Sequence, residues 1–495
     1  MYDIEYVLKK TSDTRALRIG VGAIRTAPAM FRRLFPSSAA VVVSDENTWK
    51  IAGEQLYNVL QDAGMPMVEP FIFKDPNLFA EWSYLEQLEN YLAGSDAIPI
   101  AVGAGVLNDL TKLASYHLGR RYMIVATTVS MDGFASSGAS VMKDGSKQTF
   151  DCRAPLGIVL DPAIASKAPK YLAVSGYADL IAKIPAGADW IVADEMGCEK
   201  IDDLAFDIVQ DNLMEAISKP EDVYEGKVEA IEELANGLIL SGFAMQVVQS
   251  SRPASGTEHL FGHYWEMTGL RYSGEEEVPG FEKGKSFLSP GRPVPHGFAV
   301  GIGSLVSISA FEYLLGLDPD TIDVEACVEK WPSKEEMARE IHKLFADMPE
   351  LLEKALAVAD SKYVGREEIR SELLTVKKNW RTMCNRLRAQ LIPYRQVYDR
   401  LRAAHAPYEP EMIAVSRTEL KKAFESMPYM RDRITAVDLL HRLGLMPDVS
   451  RFLFGPGGRW EVKSSSQESY SQENLAVLKK IPIFAVHSER GWRNW

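Results

Sequence analysis

The chain has 495 residues, of which 46% are hydrophobic and 25% are charged, so it can form more than one globular domain. Its four cysteines lie far apart in the sequence, which argues against a cysteine zinc site and against a disulfide framework. The formal net charge of −13 argues against a nucleic-acid partner, because phosphate backbones are bound by clustered lysine and arginine.

Nothing in the sequence indicates export or a membrane span. The first ten residues, MYDIEYVLKK, contain no apolar signal core. The longest apolar stretch, residues 298–317, includes Glu312 and three glycines, so it predicts a buried helix rather than a membrane span. We therefore expect a cytoplasmic protein without a membrane partner.

Residues 1–168 alternate short β-branched runs with helical patterns. The runs predict buried strands at 39–43, 67–73, 98–102 and 122–126, and the patterns between them predict helices at about 50–63, 79–93 and 108–119. Strands that alternate with helices of this length indicate a doubly wound α/β sheet. We predict a Rossmann-like, dinucleotide-binding domain over this half.

Residues 169–463 are dominated by amphipathic helical patterns, and we predict an all-α second domain there. The clearest patterns cover 204–217, 223–248, 296–314, 334–345 and 366–389. The charged, glycine-containing stretch 270–292 predicts a long loop between helices. Residues 464–495 begin as a polar low-complexity linker, and the sequence assigns this tail no role.

A glycine-rich turn follows the strand at 98–102. Gly103 and Gly105 allow the backbone to turn tightly, and the free amides of the helix that follows suit a pyrophosphate. The turn lacks the third glycine of the common dinucleotide fingerprint, and a strand-to-helix turn without a ligand explains the same residues equally well.

Two other strand ends favour a nucleotide. Asp45 follows the strand at 39–43, where an acid can bind an adenosine ribose hydroxyl. Asp45 can instead be the N-cap of the next helix, a role for which Asn47 or Thr48 is at least as good a candidate. The hydroxyl-rich run from Thr127 to Ser136 follows the strand at 122–126. Loops at the carboxyl ends of strands are where α/β sheets bind ligands, but a plain polar loop remains the alternative.

Three of the eight histidines fall within one 38-residue window. His259 and His263 are four residues apart on a predicted helix and so share a face, and His296 begins the apolar helix that follows. Imidazoles that converge with a carboxylate form a good site for zinc or a related divalent ion. Asp179, among small and apolar neighbours, is the best carboxylate candidate, although histidines of the core and a capping aspartate would give the same pattern.

Together these segments resemble the glycerol-1-phosphate dehydrogenase branch of the dehydroquinate synthase and iron-containing alcohol dehydrogenase superfamily. The matching segments are DENT (45–48), GAGVLNDLTK (103–112), TTVSMDGFASSGA (127–139), GYADL (176–180), SRPASGTEHLFGHYWEM (251–267) and HGFAVGIG (296–303). The resemblance covers residues 15–450 and implies a dehydroquinate synthase-like fold, a Rossmann-like domain followed by a helical one.

The resemblance also implies a role for each matching position. Asp179, His259 and His296 match the metal ligands, commonly of zinc, with nickel or iron also possible. Asp132, Asp179 and His263 match substrate contacts, and Asp132 and His263 would also relay the proton. The NAD(H) or NADP(H) site would comprise Gly105, Val106, Leu107, Asn108, Asp109, Thr127, Thr128, Val129, Ser130 and Ser136, in addition to Asp45.

The implied reaction is the reversible reduction of dihydroxyacetone phosphate to sn-glycerol 1-phosphate, and we expect a homo-oligomer. Arg252 is our candidate for binding the substrate phosphate, with capping or a structural salt bridge as alternatives. Three departures from the family pattern stand out: Ala178 replaces a glycine, the gap between His259 and His296 is long, and the chain continues past the usual end.

Three rival functions remain open from the sequence. One is a dehydroquinate synthase-like lyase that returns its hydride, and another is a polyol dehydrogenase for an unphosphorylated substrate. The third is a nucleotide-binding scaffold without catalysis, which the full set of ligand-type residues disfavours.

Overall fold

The computed structural model describes residues 4–144, 146–272 and 293–462. Its strands are β1 (Ala16–Ile19), β2 (Ala40–Asp45), β3 (Phe71–Phe73), β4 (Ile98–Gly103), β5 (Met123–Ala126), β6 (Ala139–Lys143), β7 (Ser146–Phe150) and β8 (Gly157–Leu160). Six of them form a parallel sheet in the order β1-β8-β5-β4-β2-β3, and β6 and β7 form an antiparallel hairpin. The sheet confirms the predicted parallel α/β arrangement.

The helices of the first half cover both faces of this sheet. They are α1 (Ile4–Lys10), α2 (Ala27–Leu34), α3 (Glu46–Thr48), α4 (Glu54–Asp62), α5 (Trp82–Leu92) and α6 (Gly105–His117). Alternate residues of β2 point to opposite sides: Val42 packs in one apolar cluster with Phe31 and Leu56, whereas Val41 and Val43 pack in another. Burial on both faces is why this strand is a continuous β-branched run.

The strand predictions were incomplete at the short strands. The sequence analysis did not predict β1 and β8, which have four residues each. It also did not predict the β6–β7 hairpin. The strand predicted at 67–73 is mostly wrong, because only Phe71–Phe73 is strand and Met67 makes an isolated bridge to Ala40. Runs of four or five residues give a weak periodic signal, and of the strands with four residues only β5, predicted at 122–126, was found.

The described elements after β8 are all helices, with the bounds α7 (Pro162–Ala165), α8 (Lys170–Ile181), α9 (Lys183–Glu195), α10 (Asp203–Gln210), α11 (Leu213–Ala216), α12 (Pro220–Glu225), α13 (Val228–Val248), α14 (Thr257–Met267), α15 (His296–Leu315), α16 (Val324–Lys330), α17 (Lys334–Leu344), α18 (Pro349–Lys362), α19 (Arg366–Gln390), α20 (Tyr394–Ala403), α21 (Arg417–Ser426), α22 (Ala436–Arg442) and α23 (Met446–Phe454). The helix predicted at 223–248 is interrupted, because Gly226 adopts φ 74° and ends α12. The helix predicted at 204–217 also divides, into α10 and α11. The domain boundary at residues 168 and 169 stays a prediction.

Helix α15 lies at the centre of the helical half. Among the described residues it is the one helix that is long and apolar enough to cross a membrane, but 83% of its apolar window is buried inside the protein. The prediction of a buried helix here is confirmed. Of the predicted loop 270–292, the structure describes only the first three residues, and Arg271 forms an antiparallel bridge with Pro293. The rest of that loop and the tail 464–495 lie outside the described residues.

Candidate metal centre and nucleotide edge

Three potential metal ligands converge from three helices. Asp179 lies near the end of α8, His259 lies in the first turn of α14, and His296 is the first residue of α15. Their ligand atoms all lie within 4.8 Å of one another. Asp179 is fully buried, His259 is 6% exposed and His296 is half-buried, so the cluster is closed on one side and open on the His296 side.

Two glycines of α15 make this convergence possible. A Cβ atom on Gly297 would lie 1.8 Å from the carbonyl oxygen of Ser175 on α8. A Cβ atom on Gly303 would lie 2.3 Å from the carbonyl oxygen of Glu258 on α14. Because neither position tolerates a side chain, the backbone of α15 can touch both neighbouring helices. The HGFAVGIG segment therefore brings His296 up to the other two ligands.

The spacing of the donor atoms suits a divalent cation. His259 Nε2 lies 3.4 Å from Asp179 Oδ1. Tetrahedral sites with bond lengths of about 2.0–2.1 Å place neighbouring donor atoms about 3.3 Å apart. One carboxylate and two imidazoles are a donor set that zinc, nickel and iron all accept, so the cluster fits a metal without selecting one.

A buried lysine connects the cluster to Asp132. Lys183 Nζ lies 2.8 Å from Asp179 Oδ1 and 2.8 Å from Asp132 Oδ2, and its side chain is completely buried. Ser241 Oγ donates a second hydrogen bond to Asp132 Oδ2 at 2.8 Å, and the Asp132 amide donates to Asp179 Oδ2 at 3.0 Å. The structure thus places Asp132 directly beside the candidate metal ligands.

These contacts control the charge of the cluster. Burial alone would raise the pKa of Asp179, but Lys183 and hydrogen bonding to His259 outweigh it and hold the pKa well below its usual range. Burial alone would lower the pKa of Lys183, but Asp132 and Asp179 raise it above the ordinary value. The lysine is therefore charged, and Asp179 is an ionised carboxylate, as a metal ligand would have to be.

His263 lies one turn after His259 at the rim of the cluster. Its ring centroid is 6.3 Å from that of His296, and its side chain is 44% exposed. His263 Nδ1 lies 3.7 Å from Glu266 Oε2. His263 does not belong to the group of three ligands, which agrees with the implied role at the substrate rather than at the metal.

The three predicted nucleotide segments meet at one edge of the sheet. Strands β2, β4 and β5 are neighbours in parallel register, so Asp45, Gly103 and Ala126 end at the same side. The Thr127 amide donates to the carbonyl oxygen of Gly103 at 3.1 Å. The N-cap of α6 is Ala104, which has no side chain to cap the first turn. Uncapped amides at a helix N-terminus are suited to a pyrophosphate.

Several predicted nucleotide residues have buried side chains. Leu107 and Val129 are core residues, 2% and 1% exposed. Asn108 accepts a hydrogen bond from the Tyr122 hydroxyl, and Asp109 accepts one from the Ser140 amide. Leu107, Asn108 and Val129 can therefore contact a nucleotide only through their backbone. Gly105 and Val106 in the first turn of α6 and Ser130 in the loop are partly exposed, whereas Thr128 and Ser136 are buried, at 6% and 8% exposed.

Asp45 caps the short helix α3. Its Oδ1 accepts hydrogen bonds from the amides of Asn47 and Thr48 at 2.8 and 2.7 Å, and the Asp45 amide donates to Thr48 Oγ1. Of the N-cap alternatives that the sequence left open, the structure thus has Asp45 rather than Asn47 or Thr48. Both capping bonds use Oδ1, so capping leaves Oδ2 for another donor at the sheet edge.

Comparison with known proteins agrees with this geometry. Residues 18–169 match the family model "Iron-containing alcohol dehydrogenase". Proteins named glycerol-1-phosphate dehydrogenase [NAD(P)+] from Methanothrix thermoacetophila and Pyrococcus furiosus are each 30% identical over 305 residues, which is 61% of this chain and 78% and 79% of theirs. The protein of that name from Halalkalibacterium halodurans is 34% identical over 246 residues, 49% of this chain and 61% of its own length.

The chain belongs to the glycerol-1-phosphate dehydrogenase family.

Solved structures support the fold of this family member. Glycerol dehydrogenase from Schizosaccharomyces pombe aligns with a TM-score of 0.56 and 16% identity, covering 97% of this chain and 95% of that chain. Maleylacetate reductase from Agrobacterium tumefaciens aligns with a TM-score of 0.55 and 14% identity, covering 90% of this chain and 98% of that chain. The expected family and the expected fold class are both confirmed.

Arg252 is held by buried contacts within the helical half. Its guanidinium donates to the carbonyl oxygens of Ile434 and Asp189, both at 2.9 Å, and its Nε lies 3.4 Å from Glu199. The side chain is 1% exposed. Two of its nitrogens bind backbone carbonyls of the helical half, so Arg252 has the contacts of a structural residue, the alternative that the sequence left open, and its role as a phosphate ligand stays a prediction.

Sequence reasoning missed Lys183 and the carboxylates behind the histidines. Lys183 follows Asp179 by four residues, a spacing that places two helical side chains on one face and was visible in the sequence. Glu258 Oε1 lies 2.8 Å from His259 Nδ1, and Glu266 Oε1 lies 3.3 Å from His296 Nδ1. Glu266 pairs with a histidine 30 residues away, so no local spacing marked that contact.

Proposed function

We propose that the chain is a metal-dependent NAD(P)H dehydrogenase that reversibly reduces dihydroxyacetone phosphate to sn-glycerol 1-phosphate. The observation that carries the proposal is the meeting of Asp179, His259 and His296 beside Asp132, at the edge of the sheet where the nucleotide segments end. Relatives with the glycerol-1-phosphate dehydrogenase name support the choice of substrate.

Two contacts join the nucleotide edge to the metal centre. The loop after β5 carries Ser130, whose carbonyl oxygen accepts a hydrogen bond from Ser175 Oγ on α8 at 3.2 Å. Two residues later, the Asp132 amide binds Asp179 on the same helix. A nicotinamide bound along this loop would therefore lie against the metal ligands. Such proximity is what hydride transfer requires, because reacting atoms must approach to about 3–3.5 Å.

Each residue of the cluster has a proposed task. A divalent cation held by Asp179, His259 and His296 would supply a Lewis acid that polarises the substrate carbonyl. Asp132, fixed by Lys183 and Ser241, would accept a hydrogen bond from a substrate hydroxyl through its remaining oxygen. His263, at the exposed rim, would orient the substrate and pass a proton to its oxygen.

The assay is the oxidation of NADH and of NADPH by the purified protein with dihydroxyacetone phosphate, followed by absorbance. His259→Ala should abolish both bound metal and turnover, because it removes a ligand that is 6% exposed and cannot be replaced by solvent alone. His117→Ala is the matched control, since that histidine lies on the surface and pairs with Glu89. Full activity in metal-free His259→Ala would refute the proposal.

Substrate comparisons separate the rival functions. A dehydroquinate synthase-like lyase would give no net change in NADH, and a polyol dehydrogenase would oxidise glycerol as well as glycerol 1-phosphate. We expect net NAD(P)H consumption and a strong preference for the phosphorylated substrate. We also propose a cytoplasmic homo-oligomer without nucleic-acid or membrane partners, which light scattering and fractionation would check.

A further inference from the structure

The two candidate histidine ligands each face a carboxylate from helix α14. His259 Nδ1 lies 2.8 Å from Glu258 Oε1, and His296 Nδ1 lies 3.3 Å from Glu266 Oε1. In His259 the other nitrogen, Nε2, is the atom that lies 3.4 Å from Asp179 Oδ1. Each imidazole therefore has one nitrogen engaged by a glutamate and one left for a cation.

Glu258 is rigidly held in this position. Its side chain is completely buried, and Oε1 also accepts a hydrogen bond from the Gly256 amide at 2.7 Å. Its backbone is fixed by α15, which approaches within contact distance at Gly303. Oε2 has no hydrogen-bond partner among the described residues. A buried carboxylate left half-satisfied is costly, so its retention beside a ligand indicates a role in the site.

Glu266 serves two histidines at once. Oε1 faces His296 Nδ1 at 3.3 Å, and Oε2 lies 3.7 Å from His263 Nδ1. The Glu266 side chain is 19% exposed, and it lies between a candidate metal ligand and the candidate substrate histidine. Replacing this carboxylate should therefore change both the affinity for the metal and the binding of the substrate.

Building on the proposed function, we propose that Glu258 and Glu266 are positioning residues that hold the Nδ1–H form of His259 and His296, so that Nε2 of each ring points at the cation. A carboxylate behind an imidazole fixes its tautomer and orientation and increases its basicity as a ligand. Loss of such a partner typically weakens metal binding about 10- to 100-fold. The two glutamates of α14 thus belong to the metal site without touching the metal.

The test measures the affinity for Zn²⁺ alone, by competition with a chromophoric chelator, so that it needs no turnover. We expect Glu258→Gln, which keeps the side-chain volume, to raise the dissociation constant about 10- to 100-fold. Glu266→Gln should raise it less, because its contact is longer and more exposed, but should also raise KM for the substrate through His263. Glu266→Asp should keep part of the Zn²⁺ affinity that Glu266→Gln loses.

Glu195→Gln is the matched control. Glu195 is also a helical, largely buried carboxylate, with a side chain that is 10% exposed, but it pairs with Arg386 at 2.7 Å instead of a histidine. Its zinc affinity should stay within about twofold of the parent. An equal loss of zinc affinity in Glu195→Gln would overturn the inference, because the effect would then come from removing any buried carboxylate rather than one that faces a histidine.

The remaining outcomes separate this inference from the proposed function. If both Glu258→Gln and Glu266→Gln bind Zn²⁺ as tightly as the parent, the inference is overturned while the dehydrogenase proposal stands. If the parent itself binds no divalent metal, the proposed function fails first and the inference fails with it. Should Glu258→Gln not fold, the more exposed Glu266→Gln decides alone.

Discussion

Replacing Lys183 with methionine tests whether this lysine balances the charge of the two carboxylates beside the metal site. Lys183→Met keeps the length of the side chain but removes the ammonium that lies 2.8 Å from both Asp132 and Asp179. Lys183 and Asp179 have no exposed side-chain surface, and Asp132 has 11%. Breaking a buried ion pair from one side costs about 3–5 kcal/mol, because the remaining charge is left without a partner.

The stability lost in Lys183→Met should depend on whether a metal ion is bound. In chelator, we expect Lys183→Met to lower the free energy of unfolding by about 3–5 kcal/mol. In saturating Zn²⁺ the cation itself compensates the carboxylates, so the loss should be clearly smaller. By linkage, the variant must then bind Zn²⁺ more tightly than the parent does. Urea unfolding with and without Zn²⁺ measures both free energies.

A second buried lysine supplies the control. Lys362 pairs with Asp438 at 2.5 Å, and their side chains are 10% and 7% exposed. This pair lies between α18 and α22, where neither residue is a candidate metal ligand. Lys362→Met should therefore cost the same with and without Zn²⁺. If Lys183→Met also loses the same free energy of unfolding with and without Zn²⁺, the charge-balance argument is refuted.

Three further perturbations test other parts of the structure. Gly297→Ala should push α15 away from α8, since the new Cβ would lie 1.8 Å from the Ser175 carbonyl oxygen. We expect weaker Zn²⁺ binding in chelator competition. We also expect the free energy of unfolding in urea to fall by about 1–3 kcal/mol. Asp45→Ser keeps an N-cap oxygen but removes the charge, so the free energy of unfolding should change by less than about 1 kcal/mol. The kcat/KM for NADPH should rise relative to that for NADH. An unchanged ratio of the two would remove Asp45 from the nucleotide site. Burial and the neighbouring Glu258 raise the pKa of Asp189 from its ordinary 3.8 to about 7, so the native state holds a proton that the unfolded chain has lost, and stability falls as pH rises between these values. Asp189→Asn should remove this slope, and its unfolding free energy relative to the parent should rise from pH 4 to pH 7; a constant difference would contradict the raised pKa.

The central sheet could be predicted because its strands are buried on both faces. Residues 40–43 and 98–102 must be apolar at every position, and that leaves a continuous run in the sequence. β1 and β8 have only four residues each, and β1 has a neighbour on one side only, so its pattern is mixed. Long helices were predictable for a similar reason, because their buried residues form a pattern that extends over many positions. A break such as that at Gly226 depends on one residue and leaves no such pattern.

The candidate ligands could be predicted from residue type and resemblance, but their supporting contacts could not. Asp179, His259 and His296 stand out as a rare combination of side chains. Glu258 and Glu266 do not, because surface glutamates are common on helices and only the fold shows which of them face an imidazole. Arg252 shows the converse difficulty, since its position beside the motif suggests a ligand whereas its buried contacts are those of a structural residue.

The charges around the cluster favour binding of a cation there. Asp132, Asp179 and Glu258 are three carboxylates in or beside the cluster, and among the ion pairs of the described residues Lys183 is the one ammonium that contacts them. In a region of low exposure this imbalance is expensive, and protonated histidines would relieve it only by giving up their role as ligands. A divalent cation relieves it and leaves both imidazoles neutral. The same excess of negative charge would repel a phosphate, so we expect the phosphate of the proposed substrate to bind outside this cluster and its carbonyl end to enter it.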